Sequence, residues 1–221
     1  MKLFYLYIFC SIPLLSISQN GIIRFEAGSH QIEQDANQYV DCKYKTNAIS
    51  KGTHVVEFES KPLFVYTHPQ VRKLLKGDHL METEAHIYKA GDNIFLVLDI
   101  IINSENARMT YGDLDQGARL KIGFVNSQNL YLENIERDRG LVDRNRKTTS
   151  YQGVFRISKS KFKDLRKNNI LTMGLFWEEG YEEYEIIHVD LIKKQLNKKN
   201  KYFRIKITNR STLGQSCRKK S

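Results

Sequence analysis

The chain has 221 residues, of which 41% are hydrophobic, 11% aromatic and 27% charged. This length and composition fit one domain, or two small ones at most, with a hydrophobic core, and they argue against a mainly disordered chain. The mean hydropathy of -0.49 excludes a multi-pass membrane protein, and 35 Lys and Arg against 25 Asp and Glu give a formal net charge of +10.

The N-terminus has the pattern of a secretory signal peptide. Lys2 precedes an apolar run over residues 3–15, and Ser16-Ile17-Ser18 places small residues just before Gln19. The run is too short to span a hydrocarbon core of about 30 Å as a helix. We predict that residues 1–18 are removed on export and that no transmembrane helix remains. The product is expected in the periplasm, at the outer envelope or in the medium.

The predicted mature chain retains two cysteines, Cys42 and Cys217. An exported protein meets conditions in which disulfides persist, so one bridge is compatible with this sequence. Two unpaired thiols are the alternative, because nothing in the sequence places Cys217 next to Cys42. No zinc-type cysteine and histidine spacing occurs, and we expect neither a metal nor a cofactor.

Residues 19–196 are expected to form a single β-rich domain. Short β-branched and aromatic stretches between polar breaks indicate strands, and the apolar run Ile94–Ile102 predicts a central strand buried on both faces. Alternation of apolar residues predicts that Tyr151, Gly153, Phe155 and Ile157 share one face. The predicted strands are 22–26, 38–45, 54–59, 63–66, 81–88, 94–102, 119–126, 129–135, 151–157, 170–177 and 181–187.

Three short helices are predicted between these strands. The first covers residues 67–77, with a capping box at Thr67 and Gln70. The second extends from an N-cap at Ser160 to Arg166, and the third covers residues 189–196. The expected fold is all-β or mainly β: an antiparallel β-sandwich or curled sheet with two or three short peripheral helices.

Several segments of the second half share a pattern with known proteins. They are Tyr151-x-Gly153-x-Phe155-x-Ile157, Leu165, Leu171–Phe176, Tyr184 and the closing run Leu191–Leu196. The region from Tyr151 to Leu196 resembles a set of uncharacterised exported β-rich proteins of Bacteroidetes type. The resemblance implies an exported protein with a β fold, and it implies no activity.

The positive charge is concentrated at the C-terminus. Residues 193–221 contain eleven Lys and Arg and no acidic residue, whereas residues 19–192 contain 23 basic and 25 acidic residues. The basic extension, residues 197–221, is either a binder of an anionic surface or glycan, a solvated tail, or a partner of the acidic stretch 178–185. Export disfavours nucleic acid as a partner. The candidate anion-binding residues are Lys198, Lys199, Lys201, Arg204 and Lys206.

Chain direction in an antiparallel sheet brings two long loops and an acidic turn to one end of the sheet. These segments are residues 103–118, 136–150 and 178–180, and long loops on a rigid sheet are where binding sites concentrate. We call this end of the sheet the rim. Its candidate binding residues are Tyr111, Asp113, Asp115, Arg137, Arg139, Trp177 and Tyr181.

The sequence carries no complete catalytic or metal-binding motif. Asp113 and Asp115, followed by Gly117, resemble part of a calcium loop, but the third ligand position and the distal Glu are missing, and a plain polar turn is the alternative. His79 and His86 flank two glutamates, yet one strand face spreads such ligands too far apart for zinc. We therefore expect an exported non-catalytic β-sandwich that is an envelope-associated binding or structural module. The alternative is an exported carbohydrate-active hydrolase that uses rim carboxylates, with Trp177 stacking on the sugar.

Overall fold

The structure is a computed structural model that describes residues 41–68 and 79–198. In these ranges the chain forms eleven strands and three short helices, numbered here in chain order. The helices are α1 (Ala107–Tyr111), α2 (Lys159–Lys167) and α3 (Leu191–Asn197). The strands are β1 (Tyr44–Ser50), β2 (Thr53–Phe58), β3 (Lys61–Tyr66), β4 (Met81–Ala90), β5 (Asn93–Ile102), β6 (Arg119–Phe124), β7 (Asn129–Asn134), β8 (Leu141–Asp143), β9 (Thr148–Ile157), β10 (Ile170–Trp177) and β11 (Gly180–Glu185).

All strands belong to one antiparallel sheet, which confirms the predicted mainly β fold. The order is β1-β2-β4-β5-β9-β7-β6-β10-β11, with β3 also paired to β4 and β8 to β9. The sheet curls until the chain after β11 reaches β3, where the Ile187 N–H donates to the Leu63 carbonyl at 2.8 Å. The rings of Phe64 and Tyr184 stack there with centroids 4.4 Å apart. The two ends of the strand order, β1 and β11, are not paired with each other.

The alternation of strand residues decides which side chains enter the curl. On β9 the predicted inner set Tyr151, Gly153, Phe155 and Ile157 points inward, and the residues between them are less buried. On β5 only one face is fully enclosed, because Ile101 is 47% exposed. The expectation that Ile94–Ile102 is buried on both faces is therefore wrong. No helix covers this outer face in the described part, so apolar residues there pack only against neighbouring strands.

The core fills the inside of the curl, and α3 closes part of it. Leu191, Ile192 and Leu196 are buried on α3, and burial of each such side chain is worth about 1.5–3 kcal/mol. Between them, Gln195 Oε1 accepts a hydrogen bond of 2.8 Å from the Ile87 N–H of β4. The Ile87 amide lies between the parts of β4 that pair with β2 and with β3, and Gln195 provides its hydrogen-bond acceptor. This hydrogen bond fixes α3 to the sheet.

Some local features differ from the sequence expectation. The helix α2 is capped by Ser158, whose Oγ accepts from the Lys161 N–H at 3.5 Å, so Ser160 is not the cap. Both α1 and β8 lie inside segments expected to be loops, because each is too short to show a periodic pattern. The helix α3 begins at Leu191, two residues later than predicted.

Several predictions lie outside the described residues. They are the signal peptide at 1–18, the strand at 22–26, most of the helix at 67–77, Cys217 and the extension from Lys199 onward. Within the described ranges, every helix is too short or too polar to cross a membrane.

Candidate functional site

The structure brings the two predicted loops and the acidic turn together at the rim. Leu114 and Asp138, one from each loop, exchange two backbone hydrogen bonds of 2.8 and 3.0 Å. The turn joins them through the Glu179 N–H, which donates to the Tyr111 carbonyl at 3.3 Å. Three segments far apart in the sequence therefore form one connected end of the sheet.

Arg137 holds the two rim aspartates. Its Nη2 lies 2.6 Å from Asp113 Oδ2, and its Nε lies 3.0 Å from Asp115 Oδ1. The Asp113 side chain is only 11% exposed, and Arg108 Nη2 approaches it at 3.9 Å. Both predicted carboxylates are thus neutralised by a guanidinium within the rim itself.

The acidic turn is tied to the loop by Glu178. Its Oε2 accepts a hydrogen bond of 2.9 Å from the Asp113 N–H. Gly112 makes this approach possible, since its φ is 70° and a Cβ there would lie 2.7 Å from Glu178 Cβ. The carboxylate of Glu178 is therefore used to fix the backbone of the loop.

Two of the predicted binding aromatics are core residues. Tyr111 is 5% exposed and Trp177 is 6% exposed, with ring centroids 5.1 Å apart. Trp177 Nε1 donates to Tyr184 Oη at 3.3 Å, and its ring meets Tyr151 edge-on at 5.2 Å. Burial raises the pKa of Tyr151 to about 12. Burial also raises the pKa values of Tyr111 and Tyr184 well above the usual range, with Glu182 adding to both shifts. The rings of Tyr111 and Trp177 pack in the core beneath the rim loops and are too buried to stack on a ligand.

The remaining rim candidates are exposed, but they do not converge. Arg139 is exposed in the loop after β7. Tyr181 is 40% exposed on the outer face of β11, the face opposite to Tyr184. The sequence placed Tyr181 beside Trp177 because both flank the turn, whereas alternation along the strands separates their side chains.

An open depression of about 630 Å³ lies beside the Arg137 cluster. Its exposed lining includes Glu105, Arg108, Met109, Arg144 and Glu179. Met109 on α1 is 84% exposed. Sequence reasoning missed Arg108 and Met109 as surface groups because it predicted no helix in this loop. The lining of the depression mixes acidic and basic side chains.

A second polar cluster lies on the outer face around His86. The side chain is buried, with Nδ1 3.6 Å from Asp99 Oδ2 and Nε2 3.8 Å from Glu57 Oε1. Ser60 Oγ donates to Asp99 at 3.3 Å, so the hydroxyl pairs with the carboxylate and not with the imidazole. His86, followed by Gln152 and Ser60, lowers the pKa of Asp99 through hydrogen bonds, against the opposing effect of burial.

The metal-like spacing around His86 does not produce a converging site. Glu82 and Glu84 share its strand face, as predicted, but both are exposed. Across residues 41–68 and 79–198, no group of three or more His, Cys, Asp and Glu side chains is placed to hold a metal ion.

Lys198, the last described residue of the chain, lies beside the start of β1. Lys198 Nζ donates to the Cys42 carbonyl and lies 4.7 Å from the centre of the Tyr44 ring. Cys42 is buried, and burial raises the pKa of its thiol despite the opposing charges of Lys198 and Lys194. The other candidate anion-binding residues, Lys199, Lys201, Arg204 and Lys206, lie outside the described residues.

Comparison with protein-family models, curated proteins and solved structures finds no match to this chain. A function for it is therefore argued from its own geometry.

Proposed function

We propose that this chain is an exported, non-catalytic β-sheet protein that works as a binding or structural module at the cell envelope. Export is supported by the signal-like residues 1–18. The absence of catalysis is supported above all by the way Arg137 occupies the carboxylates of Asp113 and Asp115.

Glycoside hydrolysis needs one carboxyl group that gives a proton and a second that acts as base or nucleophile. At the rim, the guanidinium of Arg137 donates to Asp113 Oδ2 from both Nη2 and Nε and so occupies that acceptor atom. Glu178 is likewise committed to the Asp113 backbone amide. Asp113 and Glu178 therefore stabilise the loops of the rim, and this role favours binding over catalysis there.

The experiment is a turnover assay on the chain beginning at Gln19. Release of reducing ends from a panel of soluble polysaccharides is expected to equal that of a heat-denatured sample. Glu105→Gln with Glu179→Gln removes the two exposed acids of the depression other than Glu178, which is bound to the Asp113 amide, and Asp143→Asn at the end of β8 serves as a control. Turnover that the double variant abolishes and the control retains would overturn the proposal in favour of the hydrolase.

Association with the envelope is proposed to depend on the basic extension, residues 197–221. A cluster of lysines and arginines is attracted to anionic headgroups or acidic glycans, and salt weakens that attraction. Sedimentation with anionic phospholipid vesicles is expected at low salt and is expected to be lost at high salt. A chain truncated after Leu196 should stay in the supernatant, and equal sedimentation of both chains would reject this role.

Export is tested by expressing the full chain with its N-terminus intact in a bacterium. We expect a product that begins near Gln19 in the periplasmic fraction or the medium. Replacement of Leu6 and Ile8 by Asp should interrupt the apolar run and leave the precursor uncleaved inside the cell. Cytoplasmic accumulation of the uncleaved natural sequence would contradict the proposal.

A further inference from the structure

The outer face of the sheet carries three aromatic rings and one arginine across four adjacent strands. They are Tyr131 on β7, Arg119 on β6, Phe176 on β10 and Tyr181 on β11, and we call this set the aromatic strip. Three strand spacings of about 4.8 Å separate its ends, so the strip extends over about 14 Å. None of these side chains belongs to the rim depression.

Tyr181 lies flat on the sheet because Gly174 leaves room for it. A Cβ at Gly174 would lie 2.6 Å from Tyr181 Cζ, so one ring face covers the backbone there. The Tyr181 hydroxyl donates to Glu183 Oε2 at 2.6 Å, which fixes the direction of the ring. The side chain nevertheless remains 40% exposed. A ring held in this way presents its outer face to a ligand without losing rotamer entropy on binding.

Arg119 links the remaining rings of the aromatic strip. Its guanidinium carbon lies 4.8 Å from the centre of Phe176 and 5.8 Å from the centre of Tyr131, which is 42% exposed. Within the described part of the chain, Arg119 forms no ion pair with a carboxylate. Stacking therefore orients the guanidinium while its N–H donors stay available for oxygen atoms of a ligand.

Charged and polar groups border the rings. Lys121 Nζ lies 3.0 Å from Glu183 Oε2 and 5.9 Å from the centre of the Tyr181 ring. Thr172 Oγ1 donates to Glu183 Oε1 at 2.6 Å. The surface is consequently a row of separate ring faces among hydrogen-bonding groups. A contiguous apolar patch of the kind that marks protein interfaces is not formed by these residues.

We propose that the aromatic strip binds a polysaccharide chain. Sugar rings carry C–H groups on one face, which stack on aromatic rings, and hydroxyls at their edges, which accept from a guanidinium. Tyr181 and Tyr131 provide the stacking faces, and Arg119 donates to sugar oxygens between them. This inference rests on the proposed binding function and names its ligand class.

The test is affinity electrophoresis through gels containing hydroxyethylcellulose, xylan, laminarin, mannan or alginate, with the chain beginning at Gln19. At least one polysaccharide is expected to retard the protein. Tyr181→Ala and Arg119→Ala should each weaken that retardation about tenfold, since each removes one contact of the strip. Tyr88→Ala is the matched control, because Tyr88 lies on the outer face of β4 beside Phe95 and away from the strip.

Two further variants separate ligand stacking from folding. Tyr181→Phe keeps the ring and should keep most of the binding. Gly174→Ala keeps Tyr181 but displaces its ring, so it should weaken binding while near-ultraviolet circular dichroism reports that the fold persists. Absence of retardation in every gel, or equal effects of Tyr181→Ala and Tyr88→Ala, would overturn the polysaccharide proposal. Reducing ends released in the same gels would instead overturn the non-catalytic function, so the two failures are distinguishable.

Discussion

Arg137 lies across Asp113, with Nη2 at 2.6 Å and Nε at 2.9 Å from the same carboxylate oxygen. The acid is nearly buried, whereas the Arg137 side chain is 49% exposed. Asp113 also joins the turn of β10 and β11 through its backbone. The pair therefore connects the loop after α1, the loop after β7 and the acidic turn.

Arg137→Ala is expected to lower the free energy of unfolding by about 1–2 kcal/mol, because it leaves a nearly buried carboxylate without its main partner. The loss is discounted for the exposed half of the guanidinium. Urea unfolding followed by the fluorescence of Trp177, the only tryptophan, measures it. Arg139→Ala on the same loop should change stability by less than about 0.5 kcal/mol. Equal effects of the two substitutions would contradict a specific role for Arg137.

Gly112 and Gly52 form a matched pair for testing the contact with Glu178. Both have positive φ, 70° and 76°, but a Cβ meets Glu178 at Gly112 and nothing within 4 Å at Gly52. Gly52→Ala should therefore cost about 1 kcal/mol, the conformational penalty alone. Gly112→Ala should cost about 1–2 kcal/mol more, because Glu178 has to move and because φ 70° with ψ −149° at Gly112 is a conformation adopted almost only by glycine. Thermal unfolding measures both, and equal losses would exclude the contact as a cause.

The lowered pKa of Asp99 predicts that the folded protein loses stability in acid. Its pKa is lowered in the folded state, so its carboxylate contributes stability above the unfolded pKa of about 3.9. That contribution disappears as the pH falls through the lower folded pKa. Asp99→Asn should therefore flatten the dependence of unfolding free energy on pH below about 4. Glu84→Gln, at the exposed residue opposite Asp99 on β4, should retain the natural slope. If Asp99→Asn kept the pH dependence of the natural sequence, the contribution of Asp99 to acid stability would be refuted.

Cys42 is expected to react slowly in the folded protein. Its raised pKa keeps the thiol protonated at neutral pH, and alkylation requires the thiolate. In the Cys217→Ser variant of the chain beginning at Gln19, labelling by iodoacetamide should be much slower in buffer than in urea. Mass spectrometry measures the rate, and equal rates would contradict the burial. In the chain beginning at Gln19 with Cys217 retained, absence of label in urea before reduction would show that Cys42 and Cys217 pair.

The fold was largely predictable from period-two patterns, while the contents of the rim were predictable only in part. Ile170–Trp177 forms β10 with the predicted bounds, because β-branched and aromatic residues there lie between polar breaks. The meeting of the loops at the rim followed from strand direction alone. By contrast, the pairing of Arg137 with Asp113 depends on three-dimensional contacts that no spacing indicates.

The aromatic strip shows why surface sites are hard to predict from one sequence. Tyr131 and Tyr181 are 50 positions apart, and only the order β7-β6-β10-β11 places them on one surface. The alternation on each strand predicts that Tyr131 and Arg119 face outward, but not which strands are neighbours. Nothing in the sequence indicates that the Tyr181 ring covers Gly174.

Lys198 and Cys42 lie side by side although 156 positions separate them in the sequence. A short flexible linker could therefore join residue 198 to residue 41, which makes the segment 41–198 a candidate for circular permutation. New termini could be opened at Ser127-Gln128 in the exposed turn between β6 and β7. In such a permuted protein, the new linker would lie beside the contact of Lys198 with Cys42, away from the new termini.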